Sequence, residues 1–198
     1  DEIIVLDSFS NDKTVEIAQS KNAKVIQQQF MGYGKTKYYA TTLAQYDWIL
    51  SLDADEALDE VLKEEVALLK KNGNADAYSM RRLNNYCGQW IRHGSWYPDI
   101  KIRLFNKKKY NWNEAAVHEK VVSVLPATTI RQLNGHILHY TVSTVEQHYS
   151  QAKKFASLAA EDAFIKGKKS TLILAGLAPL FKFFRDYIFK LGILDGHN

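Results

Sequence analysis

Through the N-terminal third of the chain, apolar residues fall in short continuous runs separated by stretches with helical spacing. Ile3 to Leu6 is a run of strand length, with the look of a strand buried on both faces. The polar turn Asp7-Ser8-Phe9-Ser10-Asn11-Asp12 follows, and Thr14 to Ser20 reads as a helix. Ala23 to Gln28 predicts the next strand. Gly32-Tyr33-Gly34 predicts a flexible loop, with a helix from about Lys35 to Gln45, and Trp48 to Leu52 predicts the central strand. Leu58, Val61, Leu62, Val66 and Leu69 then recur at helical spacing up to Gly73, a C-terminal stop. Strands alternating with helices predict an α/β fold with a mostly parallel, doubly wound sheet.

Beyond Gly73 the pattern changes. Ala77 to Leu83 has the character of a strand, and Ile100, Ile102 and Leu104 alternate with Lys101 and Arg103. Val117 to Val124 and His136 to Tyr140 predict further strands. The region from Asp76 to Thr141 is rich in tryptophan, histidine and loops, which marks it as the place where specificity is expected. Ser143-Thr144-Val145-Glu146 reads as a capping box that opens a helix running to about Lys166 and closed by Gly167. The tail from Leu172 to Leu194 mixes Phe and Leu with Lys182, Arg185 and Lys190, and Pro179 predicts a kink. This divides the chain into residues 1–141 and a C-terminal pair of amphipathic helices over residues 142–198.

Charge sharpens that division. The net charge of +4 lies wholly in the last quarter, where eight Lys and Arg face four Asp and Glu, so the first 150 residues are neutral. Excess positive charge confined to an aromatic-rich tail matches attachment to an anionic membrane surface better than nucleic-acid binding. Cys87 is the single cysteine and fits a reducing compartment. The expected location is cytoplasmic, peripheral on the inner face of the membrane. The opening on Asp1-Glu2-Ile3 is read as the start of a piece that lacks at least one N-terminal strand.

The central strand ends in chemistry. Asp53, Asp55 and Glu56 crowd three acids into four positions, and Asp59-Glu60 follow. Such crowding raises the cost of ionisation unless a cation is present, most simply a divalent metal. In extended backbone Asp53 and Asp55 share a side, and hard oxygen ligands there suit Mg or Mn together with phosphate oxygens. Acids after a strand also serve as helix N-caps, so the tripeptide alone leaves both roles open. Asp7 closes the first strand on what would be the same sheet edge; it can meet a base N–H or ribose hydroxyl, or form an Asx-turn. Gly34-Lys35-Thr36 does not complete a P-loop, because the first glycine of that motif would fall at Gln29. Lys35 and Lys37 remain flexible point charges for a phosphate.

Taken in order, Leu6 to Thr14, Gly34 to Lys37 and Leu52-Asp53-Ala54-Asp55-Glu56 resemble a family 2 glycosyltransferase with the GT-A fold. Trp96-Tyr97-Pro98-Asp99, Arg103-Leu104-Phe105 and Val117-His118-Glu119 are similar to the subgroup of bacterial lipopolysaccharide inner-core β-glucosyltransferases. The family's opening strand is not part of this sequence, and Tyr38 stands where the subgroup often has a small amide residue.

The resemblance implies a GT-A-type, Rossmann-like sheet with a membrane-associating helical extension. It implies that Asp7, Asp53 and Lys37 bind a nucleotide-sugar donor and that Asp55 holds a divalent metal, Mg or Mn. The acceptor is expected to be a lipid-linked or lipopolysaccharide saccharide. An inverting transfer also needs a carboxylate to take the acceptor's proton. Glu119 is the first candidate and Asp99 the second, with His118 as a metal or phosphate contact. His136 and His139 read as structural. Trp90, Trp96 and Trp112 suit either sugar stacking or core packing. A nucleotidyltransferase and a non-catalytic, membrane-associated sugar-binding protein of the same fold are the rival readings.

Overall fold

The computed structural model describes residues 1–115, 119–167, 169 and 171–196. They divide into two compact units that interleave along the sequence. The first comprises Asp1–Leu52, Glu64–Met80 and Lys101–Leu133; the second comprises Asp53–Lys63, Arg81–Ile100 and Asn134–Asn198.

In the first unit, β1 (Ile4–Asp7) pairs in parallel with β2 (Lys24–Gln27), joined through α1 (Thr14–Ser20). The next helix, α2 (Tyr33–Thr42), begins inside the expected glycine loop. β3 (Trp48–Leu50) is shorter than its apolar run and pairs antiparallel with the C-terminal half of β7 (Asp99–Asn106). Gly73 ends the first unit's part of α3 (Glu60–Asn72), its N–H donating to Leu69 O at 2.9 Å. Ala77 and Tyr78 open β5 (Ala77–Tyr86); β8 (Tyr110–Trp112) and β9 (Val121–Ser123) form a hairpin. Ala77, Phe105, Tyr110, Trp112 and Val121 are packed into one buried cluster with Ile49 and Ile102 against it. Tyr78 is buried among these strands because its hydroxyl accepts the Asn74 and Ala75 N–H groups. Asp76 ties the same corner together through Lys109 Nζ and the N–H and hydroxyl of Thr129.

In the second unit, β4 (Glu56–Leu58) pairs antiparallel with β10 (Ile130–Val142), where the sequence pattern predicts helix from Leu58. β5 turns into β6 (Gln89–Ile91) through Cys87 and Gly88, both at positive φ (50° and 92°), as a two-residue hairpin requires. The expectation of a mostly parallel sheet holds for β1–β2 but is corrected by the pairs β3–β7, β4–β10, β5–β6 and β8–β9, which run antiparallel. For β5–β6 the reason is connection length: parallel strands need a crossover of a dozen residues or more, whereas these two are joined by a two-residue turn. The architecture is mixed α/β.

α4 (Val145–Ile165) matches the expected helix, but its cap is one residue later than read. Thr144 Oγ1 accepts the Gln147 N–H at 3.2 Å, and Gln147 Oε1 accepts the Ser143 N–H at 2.9 Å. Gly167, at φ 65°, closes it by donating to Phe164 O. α5 (Leu172–Phe183) contains Pro179 and passes into a π-helical turn, Phe184–Phe189, and then a 3-10 turn, Gly192–Asp195. Among the described residues, no helix is long and apolar enough to cross a membrane.

Gly135 shows how tightly β10 approaches α3. A Cβ there would land on the backbone of Leu62, a fully buried residue. Gly135→Ala is therefore expected to destabilise the fold by about 1–3 kcal/mol, measured as a lower urea midpoint at unchanged slope.

Candidate active site

The acids that follow β3 do not continue the strand. Glu56 N–H donates to Asp53 O at 3.0 Å, so Asp53 to Glu56 form a turn, and Glu56 Oε2 accepts the Asp53 N–H at 3.0 Å. This corrects the expectation that Asp53 and Asp55 share one side of an extended segment. The turn's own hydrogen bonds, and the pairing of Glu56 opposite His139 on β10, outweigh the extended form.

Each acid of the cluster then has a separate task. The Glu56 side chain is wholly buried and its Oε1 accepts from Arg82 at 3.2 Å. Arg82 also grips Asp99, with Nε and Nη2 at 2.9 and 2.7 Å from Oδ2. Burial works against the Arg82 charge, but Asp99 and Glu56 more than offset it and raise its pKa above the ordinary value. Asp59 caps α3 through the Leu62 N–H and holds His136 at both its N–H and Nδ1. Tyr97 completes that group, its hydroxyl 3.1 Å from His136 Nε2.

Asp55 is the acid left half-exposed. Its main-chain oxygen accepts the Tyr140 N–H at 2.9 Å, and its Oδ2 lies 3.3 Å from His139 Nε2. The His139 hydrogen bond holds the Asp55 carboxyl below the usual carboxylate range, against partial desolvation. On the other side of the ring, His139 Nδ1 is 2.7 Å from Asn84 Oδ1 and 2.9 Å from the Thr141 hydroxyl. His139 and Arg82 are thus the site residues that sequence reasoning missed. Neither stands out by spacing, because their significance comes from which acids they meet across strands.

Asp7, Lys37 and Glu119 lie in the first unit. Asp7 is buried; it accepts the Ser10 N–H and hydroxyl, and Gln27 Nε2 at 3.2 Å. The Ser10 side-chain bond is the main reason its pKa is lowered. Lys37 Nζ meets Glu119 Oε1 at 2.8 Å, with both side chains largely buried, and lies 4.7 Å from the Trp112 ring centroid. Gly34 makes this possible. A Cβ at Gly34 would collide with the carbonyls of Asn113 and Ala115, so only glycine lets α2 pass so close to the end of β8. Lys37, one turn on, then reaches Glu119. Trp112 is buried in the core. His118, with Val117, lies outside the described residues.

Among the described residues, no three His, Cys, Asp or Glu side chains converge as a metal-ligand set. The donor set at Asp55 nevertheless suits Mg or Mn, which are commonly bound through one or two carboxylates and complete their shell with substrate phosphates and water. Asp53 is close enough to Asp55 for its charge to be felt there.

Residues 1–125 match the model of glycosyl transferase family 2, and the chain belongs to that family. It is 34% identical to an uncharacterized glycosyltransferase of Rickettsia bellii, over 100% of this chain and 70% of that protein. It is 24% identical to the lipopolysaccharide core biosynthesis glycosyltransferase LpsC of Rhizobium meliloti, over 97% of this chain and 73% of that one. Among solved structures, S. aureus TarS aligns with 71% of this chain and 31% of its own, at a TM-score of 0.45 and 15% identity. The chain is a family 2 glycosyltransferase, and its mixed α/β architecture is consistent with the GT-A fold.

Two outcomes are expected. Arg82→Met should cost about 3–5 kcal/mol, because it leaves the enclosed Glu56 carboxylate without its cation, and Glu56→Gln in the same chain should recover part of the loss in a double-mutant cycle. Asp7, Asp55 and Asp76 all have pKa values below the ordinary 3.8. Groups of this kind contribute stability that is fully present above the unfolded-state pKa and lost as pH falls through the folded-state value. The urea midpoint should therefore not change with these groups down to about pH 4, and should drop below it; Asp55→Asn should make that drop shallower.

Proposed function

We propose that this chain is a metal-dependent, inverting hexosyltransferase that moves a hexose from a nucleoside diphosphate sugar onto a glycolipid or lipopolysaccharide core sugar. One observation carries the reading. In the acidic turn Glu56 is withdrawn onto Arg82, while Asp55 is left half-exposed and ionised by His139. Asp55, with Asp53, would hold Mg or Mn, and such an ion when bound stabilises the leaving nucleoside diphosphate as a Lewis acid.

The other roles belong to the chain's own side chains. Asp7 and Asp53 bind the base and ribose, Asp7 as a carboxylate kept ionised by Ser10. Lys37 serves the diphosphate. Glu119 is the base that takes the acceptor hydroxyl's proton, and moving Lys37 to the donor releases it from its ion pair. Asp99 ranks second because Arg82 already holds it through two nitrogens. The LpsC name supports a lipopolysaccharide acceptor. The net positive charge of the C-terminal quarter, with exposed Phe181, Phe189 and Leu194, supports peripheral contact with an anionic membrane, on its cytoplasmic face.

Asp55→Asn is expected to abolish transfer while the far-UV circular dichroism is unchanged, and a chelator should silence the parent chain in the same assay. Full activity of the variant together with indifference to chelator would sink the metal reading. Glu119→Gln should lower turnover about a hundredfold or more with donor affinity retained. A collapse of donor affinity instead would assign Glu119 to the donor site.

A further inference from the structure

Away from the acidic turn, the second unit carries an open cavity of about 520 Å³. Aromatic rings form much of its wall. Tyr86, Trp96 and His148 meet edge to face with centroids 5.2 to 6.0 Å apart, and Phe183 stacks on Tyr187 at 5.2 Å.

Charge gathers at one place beside this wall, where Lys182, Asp186 and Ser95 line the cavity and Arg185 and Lys190 adjoin them. Lys182 Nζ lies 2.7 Å from Asp186 Oδ2, and Arg185 Nε donates to Asp186 Oδ1 at 2.8 Å. Ser95 Oγ donates to Asp186 Oδ1 at 2.6 Å and receives Arg185 Nη2 at 3.4 Å and Lys190 Nζ at 3.3 Å. Lys190 is anchored there by its main chain, since its carbonyl accepts the Gly94 N–H at 2.9 Å. Asp195, the other acid lining the cavity, is engaged by the N–H groups of Arg92 and His93 and by His93 Nδ1.

Three cations therefore surround one carboxylate and one hydroxyl. A single cation would balance Asp186 and tie the tail down. The excess positive charge, and N–H donors beyond what those two groups can accept, make the spot complementary to an anion. Asp186 stays a carboxylate, held far below the usual range by Arg185, Lys182 and Ser95, so it offsets one of the three cations. An aromatic wall alone is equally suited to an apolar chain or a sugar face; the adjoining cations narrow the choice.

We propose that this cavity binds an anionic saccharide, its ring faces against the aromatic wall and its phosphate or carboxylate on Lys182, Arg185 and Lys190. As the acceptor subsite it rests on the hexosyltransferase reading above, which it deepens by giving the acceptor a negative charge.

The test uses the whole chain, followed by tryptophan fluorescence and calorimetry, with glucose 6-phosphate, glucose, inorganic phosphate and phosphatidylglycerol vesicles as separate probes. Glucose 6-phosphate is expected to bind at least about tenfold more tightly than glucose or phosphate, because ring and anion are engaged together, and to weaken as salt is added. Lys182→Gln with Lys190→Gln, both at exposed positions, should remove about tenfold of that affinity and leave nucleotide-sugar binding unchanged. Equal affinity for phosphate and glucose 6-phosphate overturns the saccharide site, as does an undiminished affinity in the double variant. Binding to the vesicles with none to glucose 6-phosphate overturns it too, in favour of a lipid headgroup. Glucose 6-phosphate binding without any Asp55-dependent donor turnover keeps the site and removes the hexosyltransferase reading; turnover without this binding does the reverse.

Discussion

A carboxylate shut away from water must be met by a cation, and that requirement shapes the acidic turn. Glu56 is enclosed and Arg82 answers it, with Asp99 on the same guanidinium. Stripping water from such groups costs several kcal/mol per ion, so the arrangement holds only with good geometry on every side. Strand β4 supplies that geometry. Its pairing with β10 sets Glu56 opposite His139, and the same register brings the His139 ring to Asp55. Burying one acid thus decides how its neighbour is presented.

This sorts acids that look alike along the chain. Glu56 and Asp99 share Arg82, Asp59 caps a helix, and Asp55 is left half-exposed beside an imidazole. A tight acidic sequence is costly as a uniform cluster because like charges repel. Spread over an arginine, a helix N-terminus and a histidine, the like charges are kept apart, and Asp55 is left half-exposed and held by His139.

In the first unit the same logic operates through close approach. Gly34 carries no side chain, so α2 runs against the backbone of Asn113 and Ala115, and Lys37 arrives beside Glu119 and Trp112. A largely buried lysine–glutamate pair is held by packing on both sides, which makes it responsive to any anion that competes for the lysine. The tail follows a related rule, with Asp186 and Asp195 each anchoring a turn to the segment from Gln89 to Trp96.

Local chemistry made much of this legible in advance. Strands β1 and β2, the helices from Thr14, from Glu60 and from Val145, the glycine stops and the importance of the acids at Asp53 to Glu56 all follow from the spacing of apolar residues and from backbone preferences. The motif order also identified the family. Strand β4 was hidden because three residues before a helix read as its first turn, and the antiparallel pairings were hidden because a run of apolar residues does not reveal its partner. The roles of Arg82, His139 and Gly34 were beyond reach for the same reason. A side chain's task depends on what lies across from it, and those neighbours are distant in the chain until strands pair and helices pack. Sequence alone determined which residues can carry the chemistry; tertiary structure decided which acid is buried, which is exposed and which cation each one meets, because burial and charge pairing are properties of space and not of order.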